Sequence, residues 1–87
     1  MRKITFTPDA FKEYNEWIKD DFETVQKIQL LLRDIQQTPF KGLGKPEPLK
    51  GTFSGFWSRR INQKDRLVYR VANDAIEVIK CKDHYFD

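Results

Sequence analysis

The chain has 87 residues, which suffices for one small domain with a core of its own. Its hydrophobic share of 39% and its twelve aromatic residues exclude a disordered chain, and its single cysteine excludes an intrachain disulfide. Residues 1–39 carry six basic and seven acidic side chains, whereas residues 40–87 carry ten and six. The net charge of +3 therefore comes from the C-terminal half, which indicates that this half binds a polyanionic partner.

The N-terminal part predicts a short strand followed by two helices. Ile4-Thr5-Phe6 alternates as strands do, and Thr7-Pro8 is typical of an N-cap and a first helical residue. The apolar face of this helix would contain Phe11, Tyr14, Trp17 and Ile18. Asp20-x-x-Glu23 predicts the start of a second helix, which ends at Thr38-Pro39. Its apolar face, at helical spacing, would contain Phe22, Val25, Ile28, Leu32 and Ile35.

A long, ordered loop is predicted next, because all four glycines and three of the four prolines lie between Pro39 and Gly55. In its centre, Glu47 is enclosed by Pro46 and Pro48 and flanked by Lys45 and Lys50. The two prolines restrict the backbone on either side of the carboxylate. Glu47 is therefore a candidate base for a ribose 2′-hydroxyl; an ordinary surface ion pair with a neighbouring lysine is the alternative.

The C-terminal part predicts three strands, at residues 56–61, 66–71 and 75–81. In the second of them, Leu67 and Tyr69 share one face, and Arg66 and Arg70 share the other. The element order predicts a single α+β domain over residues 1–87, with an antiparallel sheet covered on one face by the helical hairpin. The arginines, including Arg59 and Arg60, would then line a basic surface on the uncovered face.

Together with Glu47, Arg66 and His84 complete the parts of a metal-free ribonuclease, and two aromatic residues could contact its RNA. Arg66 opens a strand beside a turn, where a guanidinium can hold two phosphate oxygens and stabilise a pentacoordinate phosphorane. An imidazole can exchange a proton at physiological pH, so His84, the only histidine, suits a general acid, although a lone histidine is often an incidental surface residue. Tyr85 and also Phe86 are candidates for stacking on an unpaired base; Phe86 would equally suit a small aromatic cluster.

Other classes of site lack the residues they need. One histidine, one cysteine and scattered acids predict no metal site, and no glycine-rich phosphate-binding spacing predicts a nucleotide cofactor. Cys81 ends an apolar strand and is interpreted as a core residue. No apolar run approaches the ~20 residues of a membrane-spanning helix, so we expect no membrane partner and a cytoplasmic location.

Several segments resemble the YoeB/Txe toxins, a branch of the RelE-like toxins. They are TPFKGLGKPEPLK at residues 38–50, SGFWSRRI at residues 54–61, RLVY at residues 66–69, and His84-Tyr85. The resemblance implies a RelE-like fold and a type II toxin that cleaves mRNA in the ribosomal A site. It implies catalytic roles for Glu47, Arg66 and His84, with no metal or other cofactor. It also implies that Lys50, Arg59 and Tyr85 contact the substrate. The basic character of this half adds Lys45 and Arg60 to the predicted substrate-binding set.

The resemblance further implies a YefM-like antitoxin, a homodimer, and operator DNA bound mainly through the antitoxin. The family pattern ends at the histidine-tyrosine pair, whereas this chain continues with Phe86-Asp87 and so adds negative charge near a phosphate site. Two other functions remain open, and the first of them is equally consistent with the charge distribution. One is a module that binds RNA without cleaving it, although an acid between two prolines opposes RNA binding. The other is a co-repressor that acts with its antitoxin.

Overall fold

The computed structural model describes residues 1–84 and contains two helices on one face of a five-stranded sheet. The elements are β1 (Lys3–Phe6), α1 (Pro8–Asp20), α2 (Phe22–Gln37), β2 (Glu47–Pro48), β3 (Trp57–Arg60), β4 (Arg66–Ala72) and β5 (Ala75–Lys80), with a 3₁₀ turn at Gly51–Phe53. This is the predicted α+β fold. Within the described residues, neither helix is both long and apolar enough to cross a bilayer.

The sheet has the strand order β1-β5-β4-β3-β2. Strands β3 to β5 pair antiparallel, as predicted. Strand β2, which lies in the segment predicted to be a loop, pairs antiparallel with β3, and β1 pairs parallel with β5, so the sheet is mixed. The prediction of an antiparallel sheet therefore does not hold at its first strand. The two helices separate β1 from the other strands, and a crossover of that kind allows β1 to run parallel to β5 at the edge of the sheet.

The helix boundaries follow from side-chain caps. Thr7 begins α1 as predicted, and its Oγ1 accepts the Ala10 N–H at 3.2 Å. The predicted cap of α2 is wrong by one residue, because Asp21 and not Asp20 accepts the Thr24 N–H, at 3.3 Å. Asp21 also donates its own N–H to the Trp17 carbonyl at 2.8 Å. Asp21 therefore both ends α1 and begins α2, so a single residue connects the two helices.

The core lies between α2 and the inner face of the sheet. Its fully buried residues include Ile28, Leu31, Ile35, Leu67, Tyr69, Ile76 and Val78. The predicted apolar face of α1 is wrong in part, since Phe11 and Ile18 are 55% and 47% exposed, and Phe22 of α2 is 60% exposed. Helix α1 packs through Tyr14 and Trp17, as predicted, and through Ala10; the three residues lie on one stripe at spacings of four and three residues.

Cys81 is a buried core residue, as predicted, and connects the end of β5 to α1. Its N–H donates to Glu13 Oε1 at 2.7 Å, and its carbonyl accepts the Trp17 Nε1–H at 2.8 Å. Burial, and next the Glu13 carboxylate, raise the pKa of the thiol from 9.0 to about 12. The folded protein therefore holds this proton in a pH range where the unfolded chain releases it.

We expect the free energy of unfolding to fall by up to about 1.4 kcal/mol per pH unit between roughly pH 9 and pH 12 because of Cys81. Urea unfolding of the protein and of Cys81→Ala at about pH 8 and about pH 10.5 measures this effect. Burial also raises the pKa of Tyr69, but that residue is present in both proteins, so their difference isolates the thiol. Equal pH dependence in the two proteins would contradict the prediction.

Candidate functional site

A cleft of about 430 Å³ lies on the face of the sheet opposite the helices. We call it the basic cleft; its lining residues are Lys45, Pro46, Glu47, Pro48, Ser58, Arg60, Arg66 and His84. Three residues that are far apart in sequence, Glu47, Arg66 and His84, therefore line one cavity. Lys45 and Arg60 from the predicted substrate-binding set line it as well.

Glu47 is positioned by main-chain pairing with β3. It lies directly opposite Ser58, and the following residue Pro48 lies opposite Trp57. Leu49 continues the pairing, with its N–H donated to the Phe56 carbonyl at 2.9 Å. The side chains of a directly opposed pair share a face of the sheet. Glu47 therefore projects on the same face as Ser58, on a backbone that both the prolines and the sheet restrain.

Ser58 is a residue of the cleft for which the sequence predicted no role. It is buried on the outer face of β3, between Glu47 on one neighbouring strand and Val68 on the other. A small side chain at this position leaves room for the cavity between Glu47 and Arg66. The pairing of Ser58 with Glu47 could have identified Ser58, but that pairing is known only once β2 is known to pair with β3.

Arg66 is held by the turn that precedes it. Its Nη1 donates to the carbonyls of Asn62 at 2.8 Å, Gln63 at 3.2 Å and Asp65 at 3.2 Å. The turn is itself closed by Asn62, whose Oδ1 accepts the Lys64 N–H at 2.8 Å and the Asp65 N–H at 2.7 Å. The guanidinium is thus oriented by backbone carbonyls at the wall of the cleft.

Arg66 also lies directly opposite Arg60 in the β3–β4 pair. Like charges at directly opposed positions destabilise a sheet. Both arginines line the basic cleft, where an anion between them would relieve the repulsion. This electrostatic arrangement fits a phosphate group better than a structural role.

His84 follows Asp83, whose backbone N–H and carbonyl are both hydrogen-bonded. The Asp83 N–H donates to Asp65 Oδ1 at 2.6 Å, and the Asp83 carbonyl accepts the Arg66 N–H at 3.1 Å. Asp83 has a positive φ of 64°, so the chain turns sharply there. Asp65, a buried acid that the sequence did not single out, therefore helps to direct His84 to the cleft.

The position of Arg59 corrects its predicted substrate contact. Its side chain has no exposed surface and points to the helix-covered face, where it forms an ion pair with Asp34 of α2 at 2.6 Å. The bond from Arg59, and next that from the Leu43 N–H, lower the pKa of Asp34. Neighbouring residues of a strand project to opposite faces, so only Arg60 of this pair reaches the cleft.

The other predicted residues lie outside the basic cleft or outside the described chain. Lys50 is exposed but does not line the cavity, and it precedes the 3₁₀ turn. Arg70 pairs with Glu77 at 2.7 Å and lies over the Phe56 ring, away from the cavity. Tyr85, Phe86 and Asp87 lie outside the described residues. Within residues 1–84, no three His, Cys, Asp or Glu side chains converge as metal ligands.

The chain matches the model of the YoeB-like toxins of bacterial type II toxin–antitoxin systems over residues 6–85. A YoeB/ParE toxin from Agrobacterium tumefaciens is similar in structure, with a TM-score of 0.94 and 47% identity over 95% of this chain and 99% of that one.

Two structures from Staphylococcus aureus are similar as well. One is a heterotetrameric YoeB–YefM toxin–antitoxin complex, with a TM-score of 0.90 and 43% identity over 98% of this chain and 99% of that one. The other is a YoeB dimer, with a TM-score of 0.91 and 44% identity over 97% of this chain and 98% of that one. The family match, the full-length similarity and the shared fold agree, and the chain belongs to the YoeB-like toxins of type II toxin–antitoxin systems.

Proposed function

We propose that this toxin is an endoribonuclease that cleaves mRNA in the A site of the ribosome by metal-free acid–base catalysis. The observation that carries the proposal is the shared cleft of Glu47, Arg66 and His84, which supplies a base, a phosphate-binding cation and an acid. The chain belongs to a toxin family. The basic residues of the cleft belong to the C-terminal half, for which the sequence predicts a polyanionic partner. A phosphodiester with an adjacent 2′-hydroxyl fits these groups.

In the proposed reaction, the Glu47 carboxylate removes the proton from the ribose 2′-hydroxyl as its oxygen attacks the adjacent phosphorus. Arg66 stabilises the additional negative charge of the phosphorane, and Arg60 contributes a second cation nearby. The protonated His84 imidazole gives its proton to the 5′-oxygen as the phosphorus–oxygen bond breaks. The products are a 2′,3′-cyclic phosphate and a 5′-hydroxyl, so the reaction consumes no water, and Glu47 and His84 transfer both protons.

Ribosome dependence is the second part of the proposal. The described side chains that line the basic cleft are mostly charged or polar, so they suit contacts with phosphate groups more than the stacking of an unpaired base. A ribosome that presents one codon in a fixed conformation would supply the orientation for in-line attack, which is worth several orders of magnitude in rate. Lys45 and Lys50 lie on the same basic segment and would contact mRNA or ribosomal RNA.

The test is primer extension on a defined mRNA in a purified translation system, with and without programmed ribosomes. A new break within the A-site codon that requires ribosomes is the expected result. Cleavage of naked RNA alone would make the protein a general ribonuclease. Intact mRNA together with blocked translation would support a module that only binds.

The proposed partners are a YefM-like antitoxin, a second copy of the toxin, and operator DNA reached through the toxin–antitoxin complex. The similarity to the heterotetrameric S. aureus complex and to the S. aureus dimer supports the first two. Light scattering of the toxin alone and with the antitoxin measures both assemblies. Operator binding that is lost with excess toxin would distinguish a regulated toxin pair from a fixed co-repressor.

Asp65→Ala is expected to lower the rate of mRNA cleavage, because it removes the acceptor that holds the Asp83 N–H at 2.6 Å and so displaces His84. A displacement of this kind costs on the order of 10²-fold in rate. Asp74→Ala is the matched control, since it removes the same charge at an exposed turn whose side chain is 76% exposed. Equal single-turnover rates for the two variants would show that Asp65 does not position His84.

A further inference from the structure

Arg59 saturates all five of its N–H donors with protein acceptors. Nε donates to the Tyr69 hydroxyl at 3.1 Å, and one hydrogen of Nη1 reaches Asp34 at 2.6 Å. The remaining donors bind main-chain carbonyls, namely Leu43 at 2.8 Å, Thr38 at 2.7 Å and Lys41 at 3.1 Å. Only arginine has five donors in a planar fork, so no other side chain can make these five contacts together.

The three carbonyls belong to the segment that connects α2 to Glu47. Residues 38–46 contain no helix or strand of their own, so the carbonyls of this segment need donors from other parts of the chain. Arg59 supplies donors for three of them, and the Tyr69 hydroxyl supplies one for Pro39 at 2.6 Å. The path of this segment is therefore determined largely by side chains of β3 and β4.

The segment is also tightly seated. Gly42 and Gly44 have positive φ values of 122° and 77°, and a β-carbon at Gly42 would overlap with the Asp34 carboxylate. Asp34 accepts the Leu43 N–H at 3.0 Å in addition to the Arg59 bond. Within the ion pair, Arg59 of β3 thus binds carbonyls of the segment, and Asp34 of α2 binds one of its N–H groups.

We infer that Arg59 is a positioning residue for Glu47, an inference that rests on the proposed role of Glu47 as the base. Three successive residues of β3 bind the chain that carries Glu47. Ser58 pairs with Glu47 itself, Arg59 holds residues 38–43, and the Arg60 N–H donates to the Gly44 carbonyl at 2.7 Å. Arg59 acts on the helix-covered face of the sheet and its effect appears on the opposite face, in the basic cleft.

The test uses Arg59→Lys, which keeps the charge but has three donors in place of five and lacks the planar fork. Ile76→Val is the control, because it removes a buried methyl group from β5, where the paired residues are Ile4 and Val71 and not the segment. Both variants are studied at a temperature at which circular dichroism shows them folded. Trypsin reports on the segment through the exposed Lys41-Gly42 bond, which mass spectrometry identifies.

In Arg59→Lys, we expect the cut after Lys41 to accelerate, and kcat for cleavage on programmed ribosomes to fall by about tenfold or more with KM within about twofold. Ile76→Val should change neither quantity. A loss of kcat shared by both variants would mean that Arg59 affects only the overall stability of the protein, and an unchanged kcat in Arg59→Lys would overturn the inference. If Arg59→Lys does not fold, Tyr69→Phe removes the hydroxyl between Arg59 and Pro39 and is judged by the same criteria.

The failure of the proposed function can be told apart from the failure of this inference. A protein that cleaves no RNA with or without ribosomes would overturn the former. The ¹³C-carboxyl NMR signal of Glu47 would then still report on the position of this side chain. A changed signal in Arg59→Lys but not in Ile76→Val supports the positioning role, and an unchanged signal in both contradicts it.

Discussion

Glu47→Gln is expected to lower the single-turnover rate of mRNA cleavage by about 10²–10⁴-fold, which is the range for loss of a general base. Glutamine retains the size of the side chain and the backbone between Pro46 and Pro48, but it cannot accept the proton of the 2′-hydroxyl. Binding to programmed ribosomes should be unchanged or tighter, because a negative charge leaves a cleft that also contains Lys45, Arg60 and Arg66.

Glu77→Gln is the matched control for Glu47→Gln. It makes the same change of charge at a residue of β5 that pairs with Arg70 outside the basic cleft. The control should cleave at the rate of the unmodified toxin. If Glu47→Gln also retained that rate, another group would have to remove the proton; if it lost binding and cleavage in parallel, Glu47 would be a binding residue.

Arg66→Lys is expected to lower the cleavage rate by about 10²–10³-fold, as does the loss of one preorganised donor to a developing oxyanion. Lysine keeps the positive charge, so ground-state binding of mRNA should change much less than the rate. Its single ammonium group cannot both bind the carbonyls of Asn62, Gln63 and Asp65 and present a planar pair of donors to phosphate.

Arg70→Lys controls for the exchange of arginine for lysine, because Arg70 lies on the same strand and pairs with Glu77 away from the cleft. Quench-flow measurement of kcat on programmed ribosomes, with a parallel binding assay, separates rate from affinity. Equal losses of affinity and no loss of rate in Arg66→Lys would assign Arg66 to binding alone.

The sequence predicted the elements that depend on local signals. The Thr7 cap, the end of α2 at Thr38 and the existence of strand β4 are all determined within a few residues of chain. The burial of β4 was not, because its first four residues are all buried and do not alternate. The direction of β1 was not predictable in this way, because it depends on which edge of the sheet the strand joins after the helices have formed. The exposure of Phe11 and Ile18 likewise depends on which stripe of α1 packs against the rest of the protein, and that stripe contains Ala10, Tyr14 and Trp17.

In the site, residue types predicted more than residue positions did. Glu47, Arg66 and His84 were chosen for their chemistry, and they line one cleft. Arg59 and Arg60 are chemically identical and adjacent, so the sequence could not tell which one faces the basic cleft. That depends on the register between β3 and β4, which places Arg59 opposite the core residue Leu67 and Arg60 opposite Arg66.

The short strand β2 has a second consequence, because it forms one edge of the sheet. Leu49 donates its N–H toward β3, and N–H directions alternate along a strand, so residues 46 and 48 occupy the outward positions. Both are proline and have no N–H to offer to another chain. An incoming strand therefore finds no donors along this edge, and edge-to-edge aggregation is suppressed. The two prolines that restrain Glu47 thus also oppose association of two copies of the toxin through strand β2.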